Sequence, residues 1–392
     1  MKPVTRKRPQ LGFKCFDEDW EQHTLKEIVK KQIKGKAQLN NLGEGNIDYL
    51  DASRLNGGIP FFTNGTKNVE KDDILILWDG SKAGTVYTGF SGALGSTLKA
   101  YKTTSNSTFV YQFLKRQQEL IYKNYRTPNI PHVQKDFLNV FKISTPNFAE
   151  QQKIGTFFKQ LDELITLRQH QLDQLKALKK GYLQKMFPRN GVKVPELRFK
   201  GFADDWEQRK VSSISKKTYG GGTPKTSIKE FWNGVIPWIQ SSDLESHKLF
   251  NVSPKKYITN ESIRKSATKL VPANSIAIVT RVGVGKLALM TFEYTTSQDF
   301  LSLSDLQVDP YFGIYSLYAM LQKESNDLQG TSIKGITKLD LLDKELMIPK
   351  KNNEQEKIGI FFRQLEKFIT LNQHKLDKLK ELKKAYLQKM FC

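Results

Sequence analysis

The chain has 392 residues, of which 38% are hydrophobic and 26% charged, and a formal net charge of +22. This composition excludes a disordered chain, and the length indicates two domains rather than one. The excess of positive charge predicts a polyanionic partner, with nucleic acid as the first candidate.

Two further classes of protein are excluded by the distribution of residues. Cys15 and Cys392 are too few for a disulfide framework or a cysteine-based metal site. No stretch approaches the roughly 18 apolar residues of a membrane-spanning helix, and the basic start MKPVTRKRPQ is not followed by an apolar signal core. The sequence therefore predicts a cytoplasmic protein that does not interact with membranes.

The first part of the chain, residues 1–149, is predicted to be a lead-in and a variable domain. The lead-in reads PQLGFKCFDEDWEQ. The variable region contains strand-like runs such as KDDILILWDGSKAGTVYTGF and helical stretches such as TFVYQFLKRQQELIYKN, which predict a mixed α and β domain.

A long amphipathic helix follows at 150–188. Its apolar residues recur with 3–4 spacing over about five heptads, interrupted at Arg168 and Lys179, which is the pattern of a coiled-coil seam. At ~1.5 Å per residue the helix is a rigid spacer roughly 50 Å long. The seam residues are Ile154, Phe158, Leu161, Ile165, Leu172, Leu175, Tyr182 and Met186.

The second part of the chain repeats this order, with a lead-in and variable domain at 189–353 and a second helix at 354–392. The two helix segments 150–187 and 354–391 align without a gap and are identical at 27 of 38 positions. The second lead-in, PELRFKGFADDWEQ, echoes the first, and Gly84 aligns with Gly285. The second seam consists of Ile358, Phe362, Leu365, Ile369, Leu376, Leu379, Tyr386 and Met390.

The repeated seam predicts how the chain folds. An apolar stripe must be covered, and the available partner is its own copy. The expected fold is therefore α+β, with two mixed α/β domains separated by two long antiparallel coiled-coil helices in a pseudo-twofold arrangement.

The sequence offers little support for catalysis by the chain itself. The run VGVGKLA at 282–288 resembles a dinucleotide fingerprint, but the following LALMTFEYTT predicts a hairpin rather than the required helix. The nearest string to an adenine-methyltransferase motif is STPNF at 144–148, which does not match, and no nuclease constellation is evident. His170 and His374 lack further ligands, so no metal site is predicted.

Residues that could contact DNA are basic, amide and hydroxyl side chains in turn-like segments, because such groups read base edges and bind phosphates. In the first domain the candidates are Asn64, Thr66, Lys67, Ser81, Lys82, Tyr125, Arg126, Asn129 and His132. In the second domain they are Thr223, Lys225, Thr226, Gln240, Ser241, Ser242, Arg281, Lys286, Ser332 and Lys334.

The whole arrangement resembles the specificity subunit of type I restriction-modification systems. The resemblance is carried by the lead-ins, by the EQ-x-KI runs that begin each helix, and by YGGGTPKTSIKEFWNGVIPWIQSSDL at 219–244 and GTSIKGITKLDLLDKELMIP at 330–349. The first variable region lacks the GGTP…IPW block and has GGIPFFTNGTKN instead.

The resemblance implies a function and a set of partners. Each target recognition domain would read one half of a bipartite site in double-stranded DNA, and the helices would hold the domains apart and dock modification subunits. The chain would bind no cofactor and catalyse nothing alone. S-adenosylmethionine would belong to the methyltransferase subunits, and ATP and Mg to the restriction and translocase subunits.

Two other classes of function remain open from the sequence. One is a stand-alone methyltransferase or nuclease, and the other is a coiled-coil protein that binds nucleic acid without sequence preference. The target sequence, its spacer and the subunit stoichiometry do not follow from the residues.

Overall fold

The computed structural model describes residues 8–14, 16–127, 131–188, 191–327 and 335–391. The chain divides into two compact units. Unit 1 spans Met1–His170 with Gln373–Cys392, and unit 2 spans Gln171–Asn372. Each unit therefore contains one variable region and part of each long helix.

The first half of the chain contains short strands and helices before its long helix. They are β1 (Glu21–Thr24), α1 (Leu25–Ile28), β2 (Val29–Lys34), β3 (Glu44–Leu50), α2 (Ala52–Leu55), β4 (Phe62–Thr63), β5 (Ile74–Leu77), β6 (Val86–Tyr87), β7 (Ala93–Leu94), β8 (Leu98–Thr103), α3 (Ser107–Arg116), α4 (Gln118–Asn124), α5 (Phe137–Val140), β9 (Lys142–Thr145) and the long α6 (Phe148–Met186).

The second half repeats this plan. Its elements are β10 (Glu207–Lys210), β11 (Ser215–Gly220), β12 (Ile236–Ile239), β13 (Lys256–Ile258), α7 (Asn260–Arg264), β14 (Ser275–Val279), β15 (Leu287–Met290), β16 (Thr295–Thr296), β17 (Phe300–Leu306), α8 (Pro310–Asp327), α9 (Lys338–Asp343), β18 (Glu345–Ile348) and the long α10 (Asn352–Lys389).

The sheets show that the two units have one topology. Unit 1 has the strand orders β2-β8-β5-β6, β4-β3-β7 and β1-β9, and unit 2 has β11-β17-β14-β15, β13-β12-β16 and β10-β18. In each three-stranded sheet one pair is antiparallel and the other parallel. The predicted α+β fold is thus confirmed, and it occurs twice although the two variable regions share little sequence.

A strand buried on both faces explains the apolar runs in the variable regions. In β5, Ile74 and Ile76 pack in one apolar cluster with Trp20 and Phe109, while the alternate residues pack in a second cluster with Leu50. The strand β14 divides its side chains between two clusters in the same way. Since both faces are covered, such a strand reads as a continuous apolar run.

The two long helices pair antiparallel within each unit. In unit 1, the rings of Phe157 and Tyr386 lie 5.1 Å apart, and further along α6 the Nζ of Lys380 donates to Gln169 at 3.2 Å. Contacts at higher residue numbers on α6 therefore involve lower residue numbers on α10, as expected for antiparallel helices. In unit 2, Tyr182 packs on Phe361 at 5.1 Å in the same sense.

The sixteen predicted seam residues all lie away from solvent. Ten are buried, namely Ile154, Phe158, Leu161, Leu172, Met186, Ile358, Phe362, Ile369, Leu376 and Met390. The other six are half-buried, namely Ile165, Leu175, Tyr182, Leu365, Leu379 and Tyr386.

The interruption of the seam at Lys179 corresponds to an ion pair. Lys179 is buried and pairs with Glu366 in unit 2. Lys383 and Asp162, which occupy the repeat-equivalent positions, form the same ion pair in unit 1. A charged pair at one level of an apolar seam favours the register in which the two charges meet.

The repeated lead-in has a packing role at the start of each helix. In unit 2, Trp206 is buried and its Nε1 donates to Glu354 at 3.2 Å. Arg198 donates to both carboxylate oxygens of the same Glu354, at 2.7 and 2.9 Å. In unit 1, Trp20 packs edge-on against Phe391. The tryptophan of each lead-in is therefore part of the core beside the helix ends.

Candidate nucleic-acid interface

In unit 1, three chain segments converge on the turn Gly95–Thr97, which we call the central turn of unit 1. The N–H of Gly95 donates to Leu50 at the end of β3, at 2.8 Å. Ser96 donates to Ala37, just beyond β2, at 3.1 Å, and Trp78, just beyond β5, donates to Thr97 at 2.8 Å. The loops that follow β2, β3 and β5 therefore lie side by side.

Unit 2 builds an equivalent central turn at Ser297–Asp299. Ser297 donates to Ile239 at the end of β12, at 3.0 Å, and Thr280 donates to Asp299 at 2.7 Å. The N–H of Gly222 donates to Thr296, immediately before the turn, at 2.8 Å. The equivalent of this last bond in unit 1 joins the N–H of Lys36 to Leu94 at 3.2 Å, so the same three segments meet in both units.

A glycine at equivalent positions permits this close approach. A Cβ on Gly35 would lie 1.8 Å from the carbonyl oxygen of Gly95, and one on Gly221 would lie 1.8 Å from that of Ser297. No side chain fits at such a distance, so the backbone can pass the central turn only where the residue is glycine.

A further segment joins each central turn from the end of the variable region. Val133 donates to Trp78 at 2.9 Å in unit 1, and Ile336 donates to Thr280 at 2.7 Å in unit 2. The residues just before these positions, His132 and Gly335, therefore lie beside the loops described above.

In unit 2 the structure brings several of the predicted DNA-contacting residues together. Thr223 Oγ1 donates to Gln298 Oε1 at 2.6 Å, and Lys286 Nζ donates to the carbonyl oxygen of Ser241 at 3.3 Å. The other described candidates lie in the same loops, and all of these except half-buried Gln240 are exposed. They are Lys225, Thr226, Gln240, Ser242 and Arg281. The predicted Ser332 and Lys334 lie outside the described residues.

In unit 1 only part of the predicted set lies at the central turn. Arg126 Nη2 donates to the carbonyl oxygen of Ser81 at 3.0 Å, and Thr127 Oγ1 bonds to His132 Nδ1 at 3.0 Å. Lys82 is exposed in the same loop as Ser81. Tyr125 instead packs between two core phenylalanines, each at 5.4 Å. Asn129 lies outside the described residues.

The remaining three candidates of unit 1, Asn64, Thr66 and Lys67, lie in the segment that follows β4. The Oδ1 of Asn64 accepts from the N–H of Gly43 at 3.0 Å, just before the first residue of β3. Lys67 pairs with Glu70 at 2.8 Å. The adjacent Asn68 accepts from the N–H of Leu94, the residue before the central turn, at 2.9 Å, so this segment runs beside β7 rather than in the loops that follow β2, β3 and β5.

Residues of unit 1 that the sequence did not single out take the corresponding places. Leu77 pairs with Leu98 in unit 1 and Val279 pairs with Phe300 in unit 2, which aligns these strands of the two units. The pairs Tyr49–Ala93 in unit 1 and Trp238–Thr295 in unit 2 extend the alignment to β3 and β12. The predicted residues of unit 2 thereby acquire counterparts in unit 1: Ala37 for Thr223, Leu39 for Lys225, Asn40 for Thr226, Asp51 for Gln240, Ala52 for Ser241 and Ser53 for Ser242.

This alignment also locates the block that the first variable region lacks in sequence. The counterpart of the GGTP segment begins at Gly35, and the counterpart of IPWIQSSDL lies around Tyr49–Leu55. GGIPFFTNGTKN is a different part of the fold. The signal available in the sequence was a glycine directly after a lysine-rich strand, followed by an apolar run ending in Asp51.

The glycine-rich run at 282–288 is a hairpin, as the sequence predicted. It joins β14 to β15, which pair antiparallel from Ile278 and Leu287 outward. Gly285 has φ +90, and its predicted counterpart Gly84 has φ +89 in the hairpin of unit 1. In the part of the chain that the structure describes, no group of three or more metal-ligating side chains comes together.

A second surface feature recurs on the long helices. In unit 1, Leu164, Leu167 and Leu382 are 38%, 53% and 44% exposed at the level of the Asp162–Lys383 ion pair. Their repeat-equivalents in unit 2, listed in the same order, are Phe368, Leu371 and Leu178, which are also exposed. We call each set an apolar triple.

The chain contains the same α+β fold twice, and each copy presents polar side chains in the loops at its central turn. This arrangement defines a modular DNA-recognition protein. The model of the type I restriction modification DNA specificity domain matches residues 17–177 and 203–381, and the chain belongs to this family. Membership confirms the predicted function, recognition of a DNA target as a specificity subunit, over the two alternative classes.

Individual relatives agree with this assignment. The chain is 25% identical over 394 residues to the type I restriction enzyme MjaVIII specificity subunit of Methanocaldococcus jannaschii, covering 94% of this chain and 91% of that one. It is 33% identical over 224 residues to the EcoR124I/EcoR124II specificity subunit of Escherichia coli, covering 54% and 50%.

Solved structures share the fold. A type I S subunit from M. genitalium has a TM-score of 0.69 at 15% identity, with 98% of this chain and 99% of that one covered. A chain from a type I complex whose assembly and conformational transition were studied has a TM-score of 0.54 at 15% identity, with 95% and 97% covered. None of the described helices is long and apolar enough to cross a membrane.

Proposed function

We propose that the central turn of unit 1 reads one half of a bipartite site in double-stranded DNA and that of unit 2 reads the other half. The observation that carries this proposal is a backbone framework that is the same in both units but presents different side chains. Such a framework holds reading groups in one geometry while their chemistry, and hence the preferred bases, changes.

The side chains around the two central turns have the chemistry of base readers. Arginine makes bidentate bonds to guanine, and asparagine or glutamine to adenine. Unit 2 offers Arg281, Gln240 and Gln298 around its central turn, and unit 1 offers Asn40 and the hydroxyl of Ser96. We therefore add Gln298, Asn40 and Ser96 to the residues predicted from the sequence.

The apolar triples supply a docking surface for the modification subunits. Each triple is an exposed apolar patch on a rigid helix pair, and there is one in each unit. An apolar patch on a coiled-coil surface fits an apolar helix of a partner. Two equal patches would dock two modification subunits, one near each recognition domain. S-adenosylmethionine would bind to those subunits, and ATP and Mg to the restriction subunits that complete the complex.

The reading assignment is tested by mapping methylated adenines in cells that carry the modification partner and single variants of this chain. Arg281→Ala should relax one base in one half-site, and Asn40→Ala one base in the other half-site, each by about 1–3 kcal/mol of discrimination. Lys142→Ala, an exposed lysine of β9 paired with Thr24 in a different sheet, is the control and should leave the motif unchanged. A single substitution that altered both halves would contradict the proposal.

Docking is tested separately by measuring how many modification subunits bind. Leu167→Asp and Leu371→Asp should each remove one of two bound subunits, because a charge at the centre of an apolar contact is left unpaired. Exposed Glu163→Gln on the same helix is the matched control. Loss of both subunits from either single variant would show that docking does not use equivalent sites.

A further inference from the structure

A pair of lysines lies on neighbouring strands of unit 1, and neither forms an ion pair among the described residues. Lys34, at the end of β2, lies directly opposite Lys99 on β8. Within the described residues neither ammonium group has a carboxylate within 4.0 Å. Like charges directly opposite in a sheet are destabilising. The pair therefore needs a reason other than the stability of the sheet.

Lys99 is also held in place by an aromatic ring. Its Nζ lies 3.1 Å from the centroid of the Trp78 ring, a cation–π contact. Burial and the neighbouring charge of Lys34 lower the pKa of Lys99, and Asp79 opposes this shift. The ammonium group is thus partly desolvated and positioned, and an anion placed between the two lysines would offset the repulsion.

The pair adjoins the central turn of unit 1. Lys34 immediately precedes Gly35, whose backbone passes against the turn, and Lys99 is two residues beyond Thr97. Trp78 is the residue that donates to Thr97. The two lysines therefore lie next to the loops proposed to read DNA.

Unit 2 has nothing equivalent at this place. In the register of β11 and β17, Gly220 lies opposite Leu301 where unit 1 has the two lysines. Thr280 takes the position of Trp78. Since the surrounding backbone is the same, the lysine pair is a feature of unit 1 alone and not a requirement of the fold.

The geometry points to a phosphodiester-binding site formed by Lys34 and Lys99 at the edge of the first reading surface. A DNA phosphate bound there would anchor the first half-site, and the second half-site would have no corresponding anchor. This inference rests on the proposed function of unit 1. Because a phosphate contact carries no sequence information, it sets affinity and salt dependence without changing the preferred bases.

The test uses the complex of the chain with its modification partner and the duplex defined by methylation mapping. The variant Lys34→Gln/Lys99→Gln removes both charges and keeps a polar side chain that is one atom shorter. Its affinity should fall about 5- to 30-fold at 0.1 M salt, and the slope of log affinity against log salt should become shallower by about one. Lys217→Gln, an exposed lysine of β11 opposite Ser304, is the control in unit 2 and should change affinity less than twofold.

Duplexes with single uncharged methylphosphonate linkages identify the phosphate itself. One such linkage in the first half-site should weaken binding of the wild type and have no additional effect on the double variant. Equal penalties in both proteins would overturn the site. A changed methylation motif would also overturn it, since it would make the lysines base contacts.

Two further measurements keep the outcome clear. The thermal midpoint of the double variant should change little, because loss of the cation–π contact with Trp78 offsets removal of the repulsion. Lys34→Gln alone, at an exposed edge-strand position, leaves that contact intact and should change the salt slope in the same direction. If the wild type does not discriminate its duplex from a scrambled one, the proposed function fails. If it does discriminate but the variants match it, only the lysine site fails.

Discussion

Units 1 and 2 place a buried glutamate at the same position of their long helices but surround it differently. Glu354 of unit 2 accepts hydrogen bonds from Nε1 of Trp206 and from Nε and Nη2 of Arg198. Glu150 of unit 1 is 3% exposed, and the lead-in has Gly12 where unit 2 has Arg198. The two units therefore place the lead-in and the glutamate alike at the start of the helix, but among the described residues only unit 2 supplies a positive charge for the glutamate.

The central turns show the same separation on the functional side. Their backbone hydrogen bonds and close-approach glycines are shared, whereas exposed side chains such as Asn40 and Thr226 differ in chemistry. Packing constrains the framework, because a Cβ or a lost hydrogen bond there would disturb every loop at once. The exposed positions carry no such constraint and can change with the DNA sequence that is read.

The largest expected effect tests whether the two seams are equivalent. Leu172 in unit 2 and Leu376 in unit 1 are repeat-equivalent and both fully buried. Leu172→Asp and Leu376→Asp should each cost more than about 4 kcal/mol, since each buries an unpaired carboxylate and leaves a cavity. Thermal unfolding measures this, with exposed Gln174→Asp as control. A large difference between the two leucines would break the equivalence.

A smaller effect should separate the two seam ion pairs. Lys179 and Glu366 have side chains 10% and 17% exposed, whereas Lys383 and Asp162 are 18% and 35% exposed. Lys179→Glu should therefore cost about 3 kcal/mol and Lys383→Glu about 1 kcal/mol. Chemical denaturation provides the free energies of unfolding. Adding Glu366→Lys to Lys179→Glu should recover most of the loss; no recovery would show that the pair does not set the register.

Two glycines inside the long helices should also differ in their tolerance of a methyl group. A Cβ on either glycine would meet a side-chain oxygen, Asp309 Oδ1 at 2.6 Å from Gly359 and Asn106 Oδ1 at 2.5 Å from Gly155. The nearest backbone atom differs, since the nitrogen of Phe312 lies 2.7 Å from the Cβ on Gly359 and that of Phe109 lies 3.2 Å from the Cβ on Gly155. A side chain can move more easily than backbone. We expect Gly359→Ala to cost about 2 kcal/mol and Gly155→Ala about 1 kcal/mol in thermal unfolding, and the reverse order would contradict this reading.

The smallest effect concerns Glu150 and pH. Burial raises the pKa of Glu150 above its ordinary value of 4.5, opposed by its hydrogen bond from Trp20. Because the folded state favours the protonated acid, its contribution to stability is present below pH 4.5 and is lost as pH rises toward the folded pKa.

Replacing Gly12 by arginine should reverse this dependence. The N–H of Leu11 donates to Lys389, just as that of Leu197 donates to Lys185, so the lead-ins are placed alike and Gly12→Arg can reach Glu150 as Arg198 reaches Glu354. We expect a gain of about 1 kcal/mol at neutral pH. Gly12→Gln is the uncharged control, and an equal gain from it would argue against an ion pair. Unfolding measured from pH 4 to 8 is the test.

The candidate site was only partly predictable from the sequence. The residues at the central turn carry a recognisable DNA-binding signal in unit 2 but not in unit 1. In unit 2 the motif residues Thr223, Gln240 and Arg281 converge because each lies within three residues of the end of a strand, and turn-like segments are visible in sequence. In unit 1 the residue types at the same positions are Ala37, Asp51 and Asp79, which carry no DNA-binding signal. The stronger signal in this half of the sequence lies at Asn64 and Lys67, in the segment that follows β4.

The sequence by itself determined the internal repeat, the seam that pairs the two long helices, the mixed α and β character of both domains and the family. These features depend on periodicity and local identity, which are written in the order of residues. Only the tertiary structure decided that Gly35 corresponds to Gly221, that Lys34 faces Lys99, and that four separate segments meet at one turn. Those relations are set by strand register and backbone hydrogen bonds between residues far apart in the chain, and a one-residue shift in register would have changed each of them.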